Sequence, residues 1–168
     1  MKTTSTKEKS NDEAISQKIN ILLADDDTAD CLLFKEALNE LPLNTNLTTV
    51  YNGEQLLEEL EKNKLPDVLF LDLNMPRKNG FVALGQIKRS TQLQNIPVVV
   101  FSTASDMESI KKVYRDAAHY YISKPADFIQ LKKLIYEALV LITDKNNRIP
   151  MLDKFIIKGN SIPILDTK

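Results

Sequence analysis

Along this chain a short apolar run, a polar turn and a stretch with apolar positions three to four apart recur in the same order. Ile19–Ala24 is the first run, and it ends abruptly in Asp25-Asp26-Asp27. Cys31, Phe34, Leu38 and Leu41 follow at helical spacing, which predicts an amphipathic helix. Leu47–Tyr51 is a weaker strand candidate, and Asn52 with Gln55 has the look of a helix start whose buried face is Leu56, Leu57 and Leu60. Val68–Leu71 is a third run, again closed by an acid, Asp72. Asn74-Met75-Pro76 and Asn79-Gly80 make a turn, after which Phe81, Leu84 and Ile87 mark a helix. Pro97–Phe101 is the strongest strand signal, being β-branched and uninterrupted. Ser105-Asp106-Met107-Glu108 reads as a capping box opening a helix through Ile110, Val113 and Tyr114. Tyr120–Ile122 predicts a fifth strand, Lys124-Pro125 a stop, and Asp127 to Ile142 a last helix.

Strands that are apolar throughout are buried on both faces, and strict alternation with helices implies right-handed crossovers and a parallel sheet. The expected fold is therefore α/β: an open, doubly wound five-stranded sheet in the order 2-1-3-4-5 with helices on both faces, flavodoxin-like. A closed barrel would need eight such units. The expected organisation is a disordered lead over 1–18, one domain over 19–142, and an extension over 143–168. Ile149–Leu152 and Phe155–Ile157 give that extension enough apolar content to pack on the domain or on a partner. It is too short for a helix-turn-helix or a catalytic effector domain.

Composition then narrows the chemistry. A chain of 168 residues with 22 Lys+Arg against 23 Asp+Glu has no bulk attraction for nucleic acid or an anionic membrane. One cysteine, Cys31, and one histidine, His119, exclude an intrachain disulfide, a Cys-rich zinc site and a two-histidine motif. Cys31 lies in the apolar stripe and reads as core. Four glycines cannot spell a dinucleotide fingerprint or a P-loop. The polar N-terminus lacks the apolar core of a signal peptide, and no run is long enough to span a bilayer, so the cytoplasm is the default location.

What remains is a set of polar residues at successive strand ends, where open α/β sheets place their sites. Asp25, Asp26 and Asp27 end the first strand and Asp72 the third, neighbours in the expected order. Asp27 reads as the N-cap of the next helix. The other carboxylates would repel one another unless a cation joined them, and an all-oxygen set suits Mg²⁺. Ser102 at the fourth strand end offers a hydroxyl, and Lys124 at the fifth a fixed positive charge. Together they suit a phosphoryl group attacked in line by a carboxylate.

Four segments, Ile21–Asp26, Phe70–Pro76, Ile96–Ser102 and Lys124-Pro125, resemble the response-regulator receiver domain of two-component signalling, in that family's order and spacing. The resemblance covers Ile19 to about Ile142. It implies that Asp72 is the phosphoacceptor, served by the phosphohistidine of a sensor histidine kinase or by a phosphotransfer protein. It makes Asp26 a direct Mg²⁺ ligand, with Asp25 acting mainly through water and Asn74 offering its backbone carbonyl. Ser102 becomes the hydroxyl that moves toward the phosphoryl group, and Tyr121 the ring whose rotamer follows, turning in as space opens. Lys124 is the family's lysine, and the Lys124–Pro125 bond is expected to be cis.

The output surface so implied is that of the fourth helix, fifth strand and fifth helix, used toward an unknown downstream protein or in a homodimer. Leu134 and Leu141 widen the apolar face of the last helix there, a surface that the extension could equally cover. Two rival readings stay open. One is a receiver-fold docking module that is never phosphorylated. The other is a phosphatase of the haloacid dehalogenase type, whose pattern would want a hydroxyl where Ala29 stands.

Overall fold

A computed structural model describes residues 17–62, 64–144 and 148–164. Five parallel strands, β1 (Ile19–Ala24), β2 (Thr45–Val50), β3 (Val68–Leu71), β4 (Val98–Ser102) and β5 (Tyr120–Ser123), form one sheet in the order β2-β1-β3-β4-β5. The helices between and after them are α1 (Thr28–Asn39), α2 (Gly53–Leu60), α3 (Gly80–Arg89), α4 (Met107–Arg115) and α5 (Phe128–Thr143). A further turn, α6 (Leu152–Phe155), lies in the extension. The expected doubly wound topology is the observed one. The lead over 1–16 and the chain's last four positions fall outside the described residues.

Strand alternation sorts the core into two layers. Leu22, Leu69, Leu71, Val98 and Val100 point to one face, where they meet Leu56, Leu84, Ile87 and Val113. Ile21, Leu23, Phe70, Val99 and Phe101 point to the other, against Phe34, Leu38 and Ile135. Phe34 seals that second layer, its ring edge-on to Phe70 at 4.9 Å and to Phe101 at 5.6 Å. β3 and β4 are buried throughout, which is why their sequences carry no polar alternation. β2 alternates because it is an edge strand with one face in solvent.

Side-chain caps start the helices where the turn residues foretell: Asp27 accepts from the Ala29 and Asp30 N–H groups, Asn52 from Gln55, and Asn79 from Val82. α4 differs by one residue. Its cap is Asp106, which accepts from Ser109 at 2.8 Å, rather than Ser105. Both residue types cap well, and the backbone turns helical only after the second of them.

α4 closes in a Schellman turn: Ala117 N–H donates to Tyr114 and Ala118 N–H to the Val113 carbonyl. Ala117 takes φ 66° there, a conformation that opposes a Cβ. Ala117→Gly is expected to stabilise the fold by about 0.5–1 kcal/mol, read as a higher urea midpoint at unchanged slope.

His119 enters β5 buried, with Nδ1 accepting the Val98 N–H at 3.2 Å. Burial, with Lys88 nearby, lowers its pKa to about 4. The neutral ring is thus a stabilising group above the unfolded-state value near 6.5, and its contribution is lost as pH falls from there toward 4. Urea titrations of the parent and His119→Gln should diverge across that window, by on the order of 2 kcal/mol. Parallel curves would contradict this.

Candidate functional site

The carboxyl ends of β1 and β3 lie side by side, in the register Ala24 with Leu71, so Asp25 and Asp72 emerge together. Asp25 is fully buried and Asp72 nearly so, while Asp26, one residue on along the chain, faces solvent. One oxygen from each of Asp25, Asp26 and Asp72 falls within 4.8 Å of the others. The backbone holds two of these side chains. Asp27 N–H donates to Asp25 Oδ1 at 3.0 Å, and Asn74 N–H to Asp72 Oδ1 at 3.3 Å.

Lys124, at the end of β5, reaches into the cluster. Its Nζ lies 2.7 Å from Asp25 Oδ2, 2.9 Å from Asp30 Oδ2 and 3.5 Å from Asp72 Oδ2, with the Phe101 ring 5.4 Å away. Burial opposes its charge, but the ion pairs with Asp25 and Asp30 outweigh burial and hold the ammonium above the ordinary lysine value. The acids do not recover as much. Burial pushes Asp25 up to about 6 against the pull of Lys124, and raises Asp72 too. One lysine shared among three carboxylates leaves the site short of positive charge.

That shortage fits a divalent cation. The contact of Asp25 Oδ2 with Lys124 is an ion pair out of line for a hydrogen bond, so this buried oxygen has no donor among the described residues. An all-oxygen donor set of this kind matches Mg²⁺ or a similar hard ion.

α3 starts against the same site. A Cβ on Gly80 would come 2.2 Å from the Asp72 carbonyl oxygen, and Gly80 N–H donates to Leu73 O at 3.0 Å. Only glycine lets the helix approach the loop after β3 this closely. At the end of β4, Ser102 is buried and Thr103 exposed, which singles out the Ser102 hydroxyl as the one facing inward. Ser102 Oγ accepts the Ala104 N–H at 3.3 Å. Tyr121 is fully buried and its hydroxyl donates to the Ala104 carbonyl. Burial moves that phenol up to about 12, so it remains a donor.

The structure thus gathers Asp25, Asp26, Asp72, Asn74, Ser102 and Lys124 at one end of the sheet, with Tyr121 behind them. Two expectations are corrected. The Tyr121 ring is already inside instead of waiting to turn in, because Phe155 of the extension packs over it. The Lys124–Pro125 bond is trans, the form the tertiary amide ordinarily favours, and the described residues contain no cis peptide. Cys31 is buried as expected, its thiol pushed up to about 11 by burial. Asp30 went unanticipated. Its only trace in the sequence is a position one helical turn beyond the acidic run, where a first-turn acid ordinarily serves the helix dipole.

Comparison with known proteins gives a consistent result. Residues 21–136 match the family model of the response regulator receiver domain. The chain is 32% identical over 122 residues to the probable methanogenesis regulatory protein FilR2 of Methanothrix harundinacea, covering 70% of this chain and 79% of that one. It is 30% identical over 130 residues to the response regulator Rcp1 of Synechocystis, covering 74% and 88% respectively. Among solved structures, the phosphorylated cyanobacterial phytochrome response regulator RcpA superposes with a TM-score of 0.66 at 32% identity, over 72% of this chain and 91% of that one. The Mn²⁺-bound form of Rcp1 gives 0.69 at 27% identity, over 79% and 99%.

Proposed function

The chain belongs to the response regulator receiver domain family, and from that premise we propose that it is a single-domain response regulator phosphorylated on Asp72. The observation that carries this is the shared pocket of Asp25, Asp26 and Asp72, charge-deficient even with Lys124 buried against it. The donor is the phosphohistidine of a sensor histidine kinase or of a phosphotransfer protein in the cytoplasm. The signal passes on by protein contacts or by phosphorelay, and the reaction is signalling chemistry rather than turnover of a metabolite. Phosphorylation in RcpA and a bound divalent ion in Rcp1 support the reading.

An Asp72 carboxylate oxygen attacks phosphorus in line. The P–N bond to the imidazole breaks as the P–O bond forms, and the nitrogen leaves with the bonding electron pair. Mg²⁺, held by Asp25, Asp26, Asp72 and the Asn74 carbonyl, would supply charge neutralisation at the phosphoryl oxygens. Lys124 supplies the same kind of neutralisation from the β5 side, at no cost in reorganisation because its ion pairs already fix it. Asn74 N–H, which donates to Asp72 Oδ1, orients the nucleophile. Ser102, whose Oγ accepts the Ala104 N–H, then donates its own hydroxyl proton to a phosphoryl oxygen.

Incubating the full chain with a small acyl phosphate and Mg²⁺ should add one phosphoryl mass, absent in Asp72→Asn. Failure to take it up from donor and kinase alike would return the docking module. Steady phosphate release from many phosphoesters, lost on changing Asp25 but not Asp72, would return the phosphatase.

A further inference from the structure

The extension does not trail from the domain. Pro150 O accepts the Tyr114 hydroxyl at 3.0 Å, and Phe155, fully buried, meets the Tyr114 ring edge-on at 5.0 Å. Ile156 pairs in parallel with Tyr121, and Ile157 N–H donates to the Tyr121 carbonyl at 2.9 Å. Gln130 Nε2 donates to Lys158 O at 2.9 Å, after which Gly159 turns at φ 74° against Gln130. The segment therefore lies on β5 between α4 and α5, and it straddles both core layers, Phe155 in one and Ile157 in the other.

This docking touches the site through Tyr121. The Phe155 ring lies 6.4 Å from the Tyr121 ring, and both are fully buried, so Tyr121 cannot swing outward unless Phe155 leaves. The Tyr121 hydroxyl holds the Ala104 carbonyl, and the Ala104 N–H holds Ser102 Oγ. A continuous chain of contacts thus runs from Phe155 to the Ser102 hydroxyl at the end of β4.

We infer that the segment Pro150–Lys158 is a positioning element for phosphoryl transfer: Phe155 holds Tyr121 inward, and with it the β4–α4 turn that carries Ser102. The inference rests on Asp72 being the phosphoacceptor. Linkage makes it reciprocal. If docking favours the arrangement that receives the phosphoryl group, the phosphoryl group favours docking by the same factor.

Amide hydrogen exchange at Ile157, in the full chain with and without phosphorylation, reads the coupling directly. Phosphorylation should slow that exchange by about tenfold, within the usual range for coupled sites. Phase by phase, Phe155→Ala should slow phosphoryl uptake to a similar extent and Phe155→Leu much less. In a Tyr121→Phe background, which lacks the bond to Ala104, Phe155→Ala should add no further slowing. A merely structural role would give additive losses. If the parent is phosphorylated on Asp72 while Ile157 exchange is unchanged, the inference fails and the assignment of Asp72 stands. If the parent takes up no phosphoryl group, the assignment itself fails.

Discussion

Asp72→Asn should abolish phosphoryl uptake and, without Mg²⁺, unfold at a higher urea concentration than the parent. The two effects share a cause. Asp72 is nearly buried, and burial raises its pKa, with Asp26 adding repulsion against the pull of Lys124 and Asn74. A raised carboxylate pKa means that the folded state binds the proton more tightly than the unfolded chain. The stabilising contribution is therefore present at low pH and lost as pH rises through the folded value. Wherever it is ionised, the side chain is a liability to the fold, and its nucleophilic oxygen is the proposed reason for its presence. Asparagine keeps the shape and can still accept from Asn74 N–H, while the charge goes. The expected gain is about 1–3 kcal/mol, the scale of one buried polar group relieved of its penalty. Saturating Mg²⁺ should stabilise the parent more than the variant and narrow the gap, because the ion binds the folded state and loses a ligand in the variant. Equal midpoints without Mg²⁺ would contradict the account.

Lys124→Met works in the opposite direction. It leaves Asp25, Asp30 and Asp72 without their common partner, and two of these are buried. Removing one member of a buried ion pair typically costs about 3–5 kcal/mol, because the remaining charge is stranded. Methionine preserves most of the unbranched stem, so the loss is electrostatic rather than steric, and it includes the cation over the Phe101 ring. Phosphoryl uptake should fall by about 10²–10³-fold, the scale for losing one fixed group at a developing charge. Mg²⁺ should recover part of the stability, since a second cation enters the same cluster, but little of the rate. Urea titration with and without the ion, together with uptake measured by mass, separates the two. A variant as stable as the parent in the absence of Mg²⁺ would mean that the carboxylates do not depend on Lys124.

These residues were legible because burial wrote them into the sequence. An acid directly after Val-Leu-Phe-Leu, or a lysine directly after Tyr-Ile-Ser, breaks an apolar run at the strand end, where open sheets build their sites. The same logic located β3, β4 and β5 to within a residue or two. Asp30 escaped it, since a helix brings its side chain to Lys124 across three dimensions and leaves only an ordinary first-turn acid in one. Phe155 escaped for a related reason. Phe155-Ile156-Ile157 is visibly apolar, but so short a run carries no period, and only the open side of β5 decides where it docks. Seeing Tyr121 inside its pocket depended on that docking.

The bridge between Ile156 and Tyr121 also bears on solubility. A parallel sheet has two flanks with unsatisfied backbone groups, each able to recruit a strand from a neighbouring molecule. On the β2 flank the defence is chemical: Asn46 and Thr48 present polar side chains to water, with Thr45 and Thr49 half-buried on the other face. On the β5 flank it is the protein's own chain, with Ile157 N–H taking the Tyr121 carbonyl that a stranger would otherwise find. The family match ends at residue 136, before this seal begins. A fragment cut to the family's limits would uncover that flank along with the apolar faces of Tyr114 and Tyr121, and it is expected to elute less uniformly in size-exclusion chromatography than the full chain.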